Sequence, residues 1–483
     1  MKKAERIVAI GILLAGLLLP VSGQLPNTMY FMPGVPQSNK INPAIHPGCN
    51  FYLGLPGAAP LRFQITSSSV SYSDFIYYNE ELDSLITPLH PLGDKQGFLD
   101  NLMDKNFFQT EESVSLASIG FTSGKNFITL DMNMRVDATV YYPRGLFQLL
   151  FEGLPDGSTT SLGGFGADVT VFNEFGLGIS RKDFLIPNLD FGVRGKVLFG
   201  LANMTTKSSV LDLETSMDEW RLSSQMDIAV STLPILVDLE NYVFDPDNPE
   251  PPTLGYEDID FTDPVGLISD FFSGQFGLAA DIGLNYKPIP QLKVSASVID
   301  LGFINWKNTF DANFDFNYTF TGVEVNPFTG IDTVMLAELQ DSVFNAFNPT
   351  PGVPYMSRLN TKLFVGVAYY PIEKIGFGLL SRTDFLNNQI SQQFTGTLNM
   401  TTGKFINLSL SYSYMQRQFD NIGAGLSLNL GPFNMYLISD NLVSAGLHPL
   451  DARSVNLWFG MNLTFGWKRA AKKERPVDRP LVM

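Results

Sequence analysis

Hydrophobic and polar residues alternate along most of this chain with a period of two, the signature of β-strands whose side chains point to opposite faces. In residues 126–141, Ile128, Leu130, Met132, Met134, Val136, Ala138 and Val140 share one face, and Thr129, Asp131, Asn133, Arg135, Asp137 and Thr139 share the other. In residues 454–467, Val455, Leu457, Phe459, Met461, Leu463, Phe465 and Trp467 oppose Asn456, Gly460, Asn462, Thr464 and Gly466, with Trp458 on the second face. Residues 405–418 and 421–430 behave alike. These stretches run ten to sixteen residues, whereas strands of globular sheets usually run about five or six. A strand crossing a bilayer at a tilt takes about nine to eleven. The polar face carries full charges in mid-strand: Asp131, Arg135, Asp137, Arg194, Lys196 and Asp281. A dry sandwich core accepts such charges only at high cost, while a wet lumen accepts them readily, so these six are expected to line a lumen. Tyr141, Tyr142, Tyr286, Trp306, Tyr369, Tyr370 and Trp467 lie at strand ends, the position of an aromatic girdle. The expected fold is all-β, a transmembrane antiparallel β-barrel rather than a secreted soluble β-protein.

Turn lengths give the topology. Residues 122–125, 182–187, 287–290, 371–374, 401–403 and 431–432 read as short turns, which in such barrels face the periplasm. The opposite side takes long loops at 71–113, 143–166, 204–273, 307–356 and 441–453, and tight hairpins near Asn387 and Asp420. Counting between these turns gives about 14 strands, an even number as a single-chain barrel requires. Residues 221–232 and 309–325 also alternate, but counting either one breaks the parity, so both are expected as decorations above the membrane. Residues 144–152 and 334–347 repeat apolar positions at helical spacing within the outer loops. The plain role of the first is to pack a lid. Its Leu146, Phe147, Leu149, Leu150 and Phe151 are also the candidate docking surface for a greasy ligand.

Lys2, Lys3 and Arg6 precede an apolar stretch over residues 7–20, and Val21, Ser22 and Gly23 follow it. Residues 1–23 thus have the form of a signal peptide cleaved before Gln24. Removing its three bases and one acid takes the formal charge from −16 to −18. An acidic chain is a poor partner for nucleic acid, and a lone Cys49 supports no disulfide framework. Residues 24–58 are rich in Pro, Asn and Gly without alternation, 59–467 form the expected barrel, and 468–483 form a basic periplasmic tail.

Within residues 24–58 stands Asn42-Pro43-Ala44. A leader of this kind between an export signal and a barrel of this size resembles the FadL-like barrels, the long-chain fatty-acid transporter superfamily. Residues 188–200 (NLDFGVRGKVLFG) and 276–306 look like that superfamily's Bacteroidota-type branches, which include the cargo-shuttling barrel of type 9 secretion. The resemblance implies an N-terminal hatch carrying Asn42, Pro43 and Ala44 that plugs a fourteen-stranded lumen. It also implies hydrophobic ligands passing by hatch rearrangement and a lateral gap at a kink in the third strand. Here the third strand, residues 126–141, holds neither Gly nor Pro and alternates without a break, whereas Gly176 and Gly178 follow in the next strand.

Candidate chemistry is sparse. HExxH, GxSxG, P-loop and CxxC motifs are absent, and His46, His90 and His448 are scattered, so neither an enzyme nor a cofactor is expected. Residues 222–286 contain no Lys or Arg, and Asp245, Asp247 and Glu250 within them have oxygen-rich spacing suited to Ca²⁺. Their register does not match an EF-hand, and a solvated acidic surface is the plainer reading. The expected function is an outer-membrane barrel of a Gram-negative bacterium that binds or transports a hydrophobic ligand through a hatch-gated lumen. The alternative is a non-transporting barrel that anchors or shuttles a periplasmic or cell-surface protein partner. In either case outer-membrane lipid surrounds the wall.

Overall fold

The computed structural model describes residues 26–57, 60–153, 157, 159–216, 219–232, 275–320, 325–326, 330–331, 347–386, 389–402, 405–415, 417–442 and 450–466. Fourteen antiparallel strands close into a barrel. They are β1 (Phe51–Gly54 and Leu61–Ser67), β2 (Lys105–Ser123), β3 (Asn126–Pro143), β4 (Gly166–Arg181), β5 (Leu189–Thr215), β6 (Gln275–Ile289) and β7 (Leu292–Trp306). The ring continues with β8 (Tyr355–Arg358 and Thr361–Ile372), β9 (Ile375–Phe385), β10 (Ile390–Thr402), β11 (Ile406–Met415), β12 (Gln418–Leu430), β13 (Phe433–Ser439) and β14 (Ser454–Phe465). Both parts of β1 pair with β2 on one side and β14 on the other, so the described ring has no open edge. No described helix is long and apolar enough to cross a membrane.

The alternation read from the sequence is the alternation of the wall. Leu130, Leu177, Leu301, Leu379 and Phe394 point outward and are more than half exposed, while Asp131, Asn133, Arg135 and Asp137 are buried inside. An apolar exterior over a polar interior is the arrangement that hydrocarbon on one side and a lumen on the other select. β3 and β4 pair through sixteen consecutive positions, from Asn126 with Arg181 to Tyr141 with Gly166. Gly176 and Gly178 do not bend β4. A Cβ at Gly176 would meet the Arg194 guanidinium, and one at Gly178 would meet the Thr129 hydroxyl, so both glycines make room for lumen side chains.

β5 runs 27 residues, far beyond a bilayer crossing. Its upper half pairs with Trp220–Thr232, which pairs with Thr309–Phe320, which pairs with Phe347–Pro351. This ribbon stands outside the ring, as strand parity requires. On the same end, three helices, α1 (Tyr72–Phe75), α2 (Lys95–Asn101) and α3 (Arg144–Glu152), gather Phe75, Phe98, Leu99, Phe147 and Phe151 against Val70 and Tyr142 as a cap.

Several boundaries differ from expectation. The first barrel strand begins at Phe51, inside the stretch assigned to the leader, because Phe51–Gly54 already pairs on both sides, and Leu61–Ser67 pairs with the same two neighbours. β2 begins at Lys105, inside the loop expected to run to residue 113, since Glu111 turns into the lumen toward Lys362 instead of joining a loop. The hairpin expected near Asp420 turns at Arg417, which takes the left-handed φ of 60°. Of the expected girdle, Tyr286 and Tyr369 stand exposed, whereas Trp306 is fully buried and donates its indole N–H to Ser357 Oγ at 2.8 Å. Tyr141 and Tyr142 are likewise buried, and Trp467 lies outside the described residues. The signal segment, residues 334–346 of the second loop helix, most of the acidic loop and the basic tail also lie outside them.

A wall that faces hydrocarbon has a testable consequence at Leu177. Leu177→Arg should destabilise the barrel refolded in lipid vesicles by about 2–4 kcal/mol in urea titration. On a water-facing surface the same change would stay within about 0.5 kcal/mol.

Candidate functional site

Inside the ring, Asp131, Arg135, Asp137, Arg194, Lys196 and Asp281 belong to one continuous buried ion network. Arg135 on β3 binds Asp137 at 3.1 Å, Glu174 of β4 at 3.1 Å and Asp300 of β7 at 2.9 Å. Arg194 on β5 reaches Asp131 at 3.2 Å and Glu174 at 3.0 Å, with Asp281 of β6 at 3.8 Å. Lys196 sits between Asp281 at 2.7 Å and Asp300 at 2.6 Å. Lys362 on β8 adds Glu111 of β2 at 3.0 Å. All of these side chains are buried, so each cation is compensated by several carboxylates, as desolvated charges require.

Sequence reading missed Glu111, Glu174, Asp300 and Lys362. Glu174 was readable from parity, since it shares the inward face of β4 with Gly176 and Gly178. Asp300 was not. Ile299 and Asp300 together oppose Asp281 in a bulge, Asp300 takes a φ of 61°, and its N–H donates to Asp281 Oδ1 at 2.8 Å.

Residues 26–46 run through the lumen from wall to wall and are almost entirely buried. At one end the backbone N–H groups of Asn27 and Thr28 both donate to Asp440, at 2.7 and 2.8 Å. In the middle, Ser427 Oγ and Asn434 Nδ2 donate to the carbonyl of Gly34 at 2.7 and 3.0 Å. Lys40 then joins the ion network, 3.1 Å from Asp131 and donating to Asn133 Oδ1 at 3.0 Å.

Asn42, Pro43 and Ala44 form a tight turn, in which Ala44 N–H donates to Asn42 Oδ1 at 2.9 Å. Asn42 Nδ2 donates outward to Tyr30 OH at 3.1 Å and to the Leu284 carbonyl of β6 at 3.3 Å. The turn rests on two wall glycines. A Cβ at Gly192 would collide with the Pro43 backbone, and one at Gly283 would collide with Asn42 Oδ1 and Ala44 N. Between these polar contacts, Met29, Tyr30, Phe31, Met32, Val35 and Ile41 pack on an apolar part of the wall: Ile299, Phe364, Ala368, Leu380, Tyr436, Ile438 and Trp458.

Other candidates fall elsewhere. In α3, Phe147 and Phe151 pack into the cap, Leu146 and Leu149 are half-buried, and Leu150 is exposed. Cys49 is buried beside Tyr52 and Phe127. His46 lies 3.1 Å from Ser180 Oγ, and His90 accepts from Leu92 N–H at 3.2 Å within its own loop. Asp245, Asp247, Glu250 and His448 lie outside the described residues. Among the described residues no group of three or more His, Cys, Asp or Glu side chains is placed to hold a metal ion.

Residues 43–440 match the Family of unknown function (DUF5723). Among solved structures, the Ralstonia pickettii toluene transporter TbuX aligns with 91% of this chain and 94% of its own at 9% identity, with a TM-score of 0.39. The P. putida toluene transporter TodX aligns with 92% of this chain and 96% of its own at 8% identity and a TM-score of 0.36. The monoaromatic hydrocarbon channel CymD aligns with 92% of this chain and 99% of its own at 8% identity and a TM-score of 0.38. The curated proteins contain no match to the sequence.

One outcome follows from this geometry. Lys196→Met leaves Asp281 and Asp300 facing each other without their shared cation, and should cost about 3–5 kcal/mol of barrel stability in urea titration.

Proposed function

The chain belongs to that family of unknown function, and we propose for it an outer-membrane barrel that binds hydrophobic small molecules and passes them when its inner segment leaves its seat. In this reading residues 26–46 are a hatch, with Asn42, Pro43 and Ala44 as its seating turn. The observation that carries it is the apolar stretch of lumen wall on β7, β8, β9, β13 and β14 behind that segment. An open porin has a polar lumen. Here Phe364, Leu380, Ile438 and Trp458 point inward and pack against the apolar side chains of the inner segment, with the Arg382 guanidinium over the Phe364 ring and the Arg62 guanidinium over the Trp458 ring. Lifting the segment exchanges those side chains for a ligand of the same character. The step is binding and release, with no bond made or broken.

The seat is held by discrete polar anchors. Each charge-assisted hydrogen bond contributes about 1.5–3 kcal/mol. Removing the Asp440 and Lys40 anchors together therefore shifts the seated population by about tenfold or more. The longer ribbon built on β5 favours a second reading, in which the outer face docks a protein partner. Crosslinked capture with and without residues 205–232 addresses that reading by itself.

The test of the first reading is binding of an apolar naphthylamine fluorophore to the purified barrel. The Asp440→Ala, Lys40→Met double variant should bind about tenfold more tightly than the parent, and adding Phe364→Ser should remove the gain. A double variant that is folded by heat-shifted gel mobility and binds no better than the parent would overturn the proposal.

A further inference from the structure

A groove of about 780 Å³ opens on the outer surface of the wall between β6, β7, β8 and β9. Its origin is a local failure of strand pairing. β7 pairs with the lower part of β8 up to Ile299 with Lys362, and resumes with the upper part at Phe303 with Arg358. In between, Leu359 N–H donates to the Gly302 carbonyl at 3.1 Å, and Thr361 Oγ1 donates to the Asp300 carbonyl at 3.0 Å. Ala280 and Gly302 leave the floor low, and Leu278, Leu301, Met356 and Phe385 stand around it as exposed apolar walls.

Arg358 lines this groove at the height of Phe303, one outward position below Met356. It is exposed and makes no ion pair among the described residues. Its height is informative. Tyr369, exposed at the short-turn end of β8, pairs with Leu292, and Arg358 lies eleven residues further along the same strand. A strand rises about 3.3 Å per residue and tilts by about 40°, so this spacing is about 28 Å along the barrel axis. The apolar band of such barrels is about 25 Å tall. Arg358 therefore stands at the boundary between hydrocarbon and headgroups on the long-loop side, with the groove running from it into the hydrocarbon.

We propose that this groove is a binding site for an anionic lipid of the outer leaflet, with an acyl chain lying on Ala280 and Gly302 between Leu301 and Phe385 and the phosphate held by Arg358 above them. A bare apolar dent would take any chain. The exposed guanidinium above that floor selects a chain that carries an acid head, because an arginine fork matches phosphate oxygens bidentately. The site is on the outside of the wall and does not depend on transport through the lumen.

The test is native mass spectrometry of the full barrel in uncharged detergent, titrated with long-chain phosphatidylglycerol or phosphatidylcholine. The parent should hold one phosphatidylglycerol about tenfold more tightly than phosphatidylcholine. Arg358→Gln should erase that preference while leaving weak binding of both lipids, and Ala280→Leu, which fills the floor, should weaken both. Inorganic phosphate should not compete, since the chain supplies most of the hold. Equal binding of the two lipids by the parent overturns the proposal, as does an Arg358→Gln variant that keeps the preference. Heat-shifted gel mobility confirms that each variant is folded. If Ala280→Leu fails that check, the Arg358→Gln comparison decides alone.

Discussion

A sheet placed in hydrocarbon must pair every backbone N–H and C=O with another part of itself, because no water is there to accept the leftovers. That constraint makes this sheet close, and closure produces everything else of interest. Once both parts of β1 pair with β14, one face of every strand is committed to lipid and the other to an enclosed space. Charges that would be ruinous on the first face become admissible on the second, provided each finds a partner. Arg135, Arg194 and Lys196 each meet that condition by touching carboxylates from different strands, so the network ties β3, β4, β5, β6 and β7 across the lumen. Its net contribution to stability is modest, since desolvation offsets most of the Coulombic attraction. What it fixes is which carboxylate faces which cation, and hence the register of the wall around it.

The two sides of the lumen use different physics to hold the same segment. On the charged side, Lys40 enters an existing network, and the Asn42 turn presses on backbone exposed by Gly192 and Gly283. On the apolar side, Phe31 lies where Gly366 and Gly378 leave no side chain, and Met32 lies against Gly425. Contact of this closeness uses glycine because any Cβ would occupy the space the segment needs. The wall is therefore shaped to the segment position by position, whereas polar anchors such as those at Asp440 and Lys40 each act at a single point. Shape complementarity sets where the segment sits. The anchors set how readily it leaves.

Much of this was legible from period-two alternation, and the limits of legibility have a common cause. The inward charges Asp131, Arg135, Asp137, Arg194, Lys196 and Asp281 follow from the alternation of consecutive residues, a local property, while strand number and the decorations on β5 needed the turn lengths as well. Parity fails wherever the wall carries a bulge. Inward positions on β7 are odd up to Ile299 and even from Ile304, and on β5 they switch after the irregularity between Gly200 and Ala202. Asp300 sits at such a switch, so a strict alternation places it ambiguously, although it receives both Arg135 and Lys196. Trp306 was read as part of an interfacial girdle for the same reason: beyond the bulge its side chain turns inward to meet Ser357. Glu111 was lost differently, since a pair of adjacent acids resembles a loop until its partner Lys362, distant in sequence, is seen beside it.

The unbroken third strand bears on the route a ligand would take. Sixteen consecutive pairs join β3 to β4, and the glycines of β4 are filled from within by Arg194 and Thr129 rather than spent on a bend. Opening that seam would break several ladder hydrogen bonds with nothing in the hydrocarbon to replace them. The seam that already lacks ladder pairs lies instead between β7 and β8, and there Leu359 is buried against Phe172, Leu198, Ile304 and Trp306, which seals it from within. Displacing the inner segment breaks no ladder, because its polar anchors are to side chains and isolated carbonyls of the wall and its remaining contacts are apolar packing. For the proposed transport the least costly path therefore runs along the barrel axis, through the space residues 26–46 occupy, and leaves the wall closed.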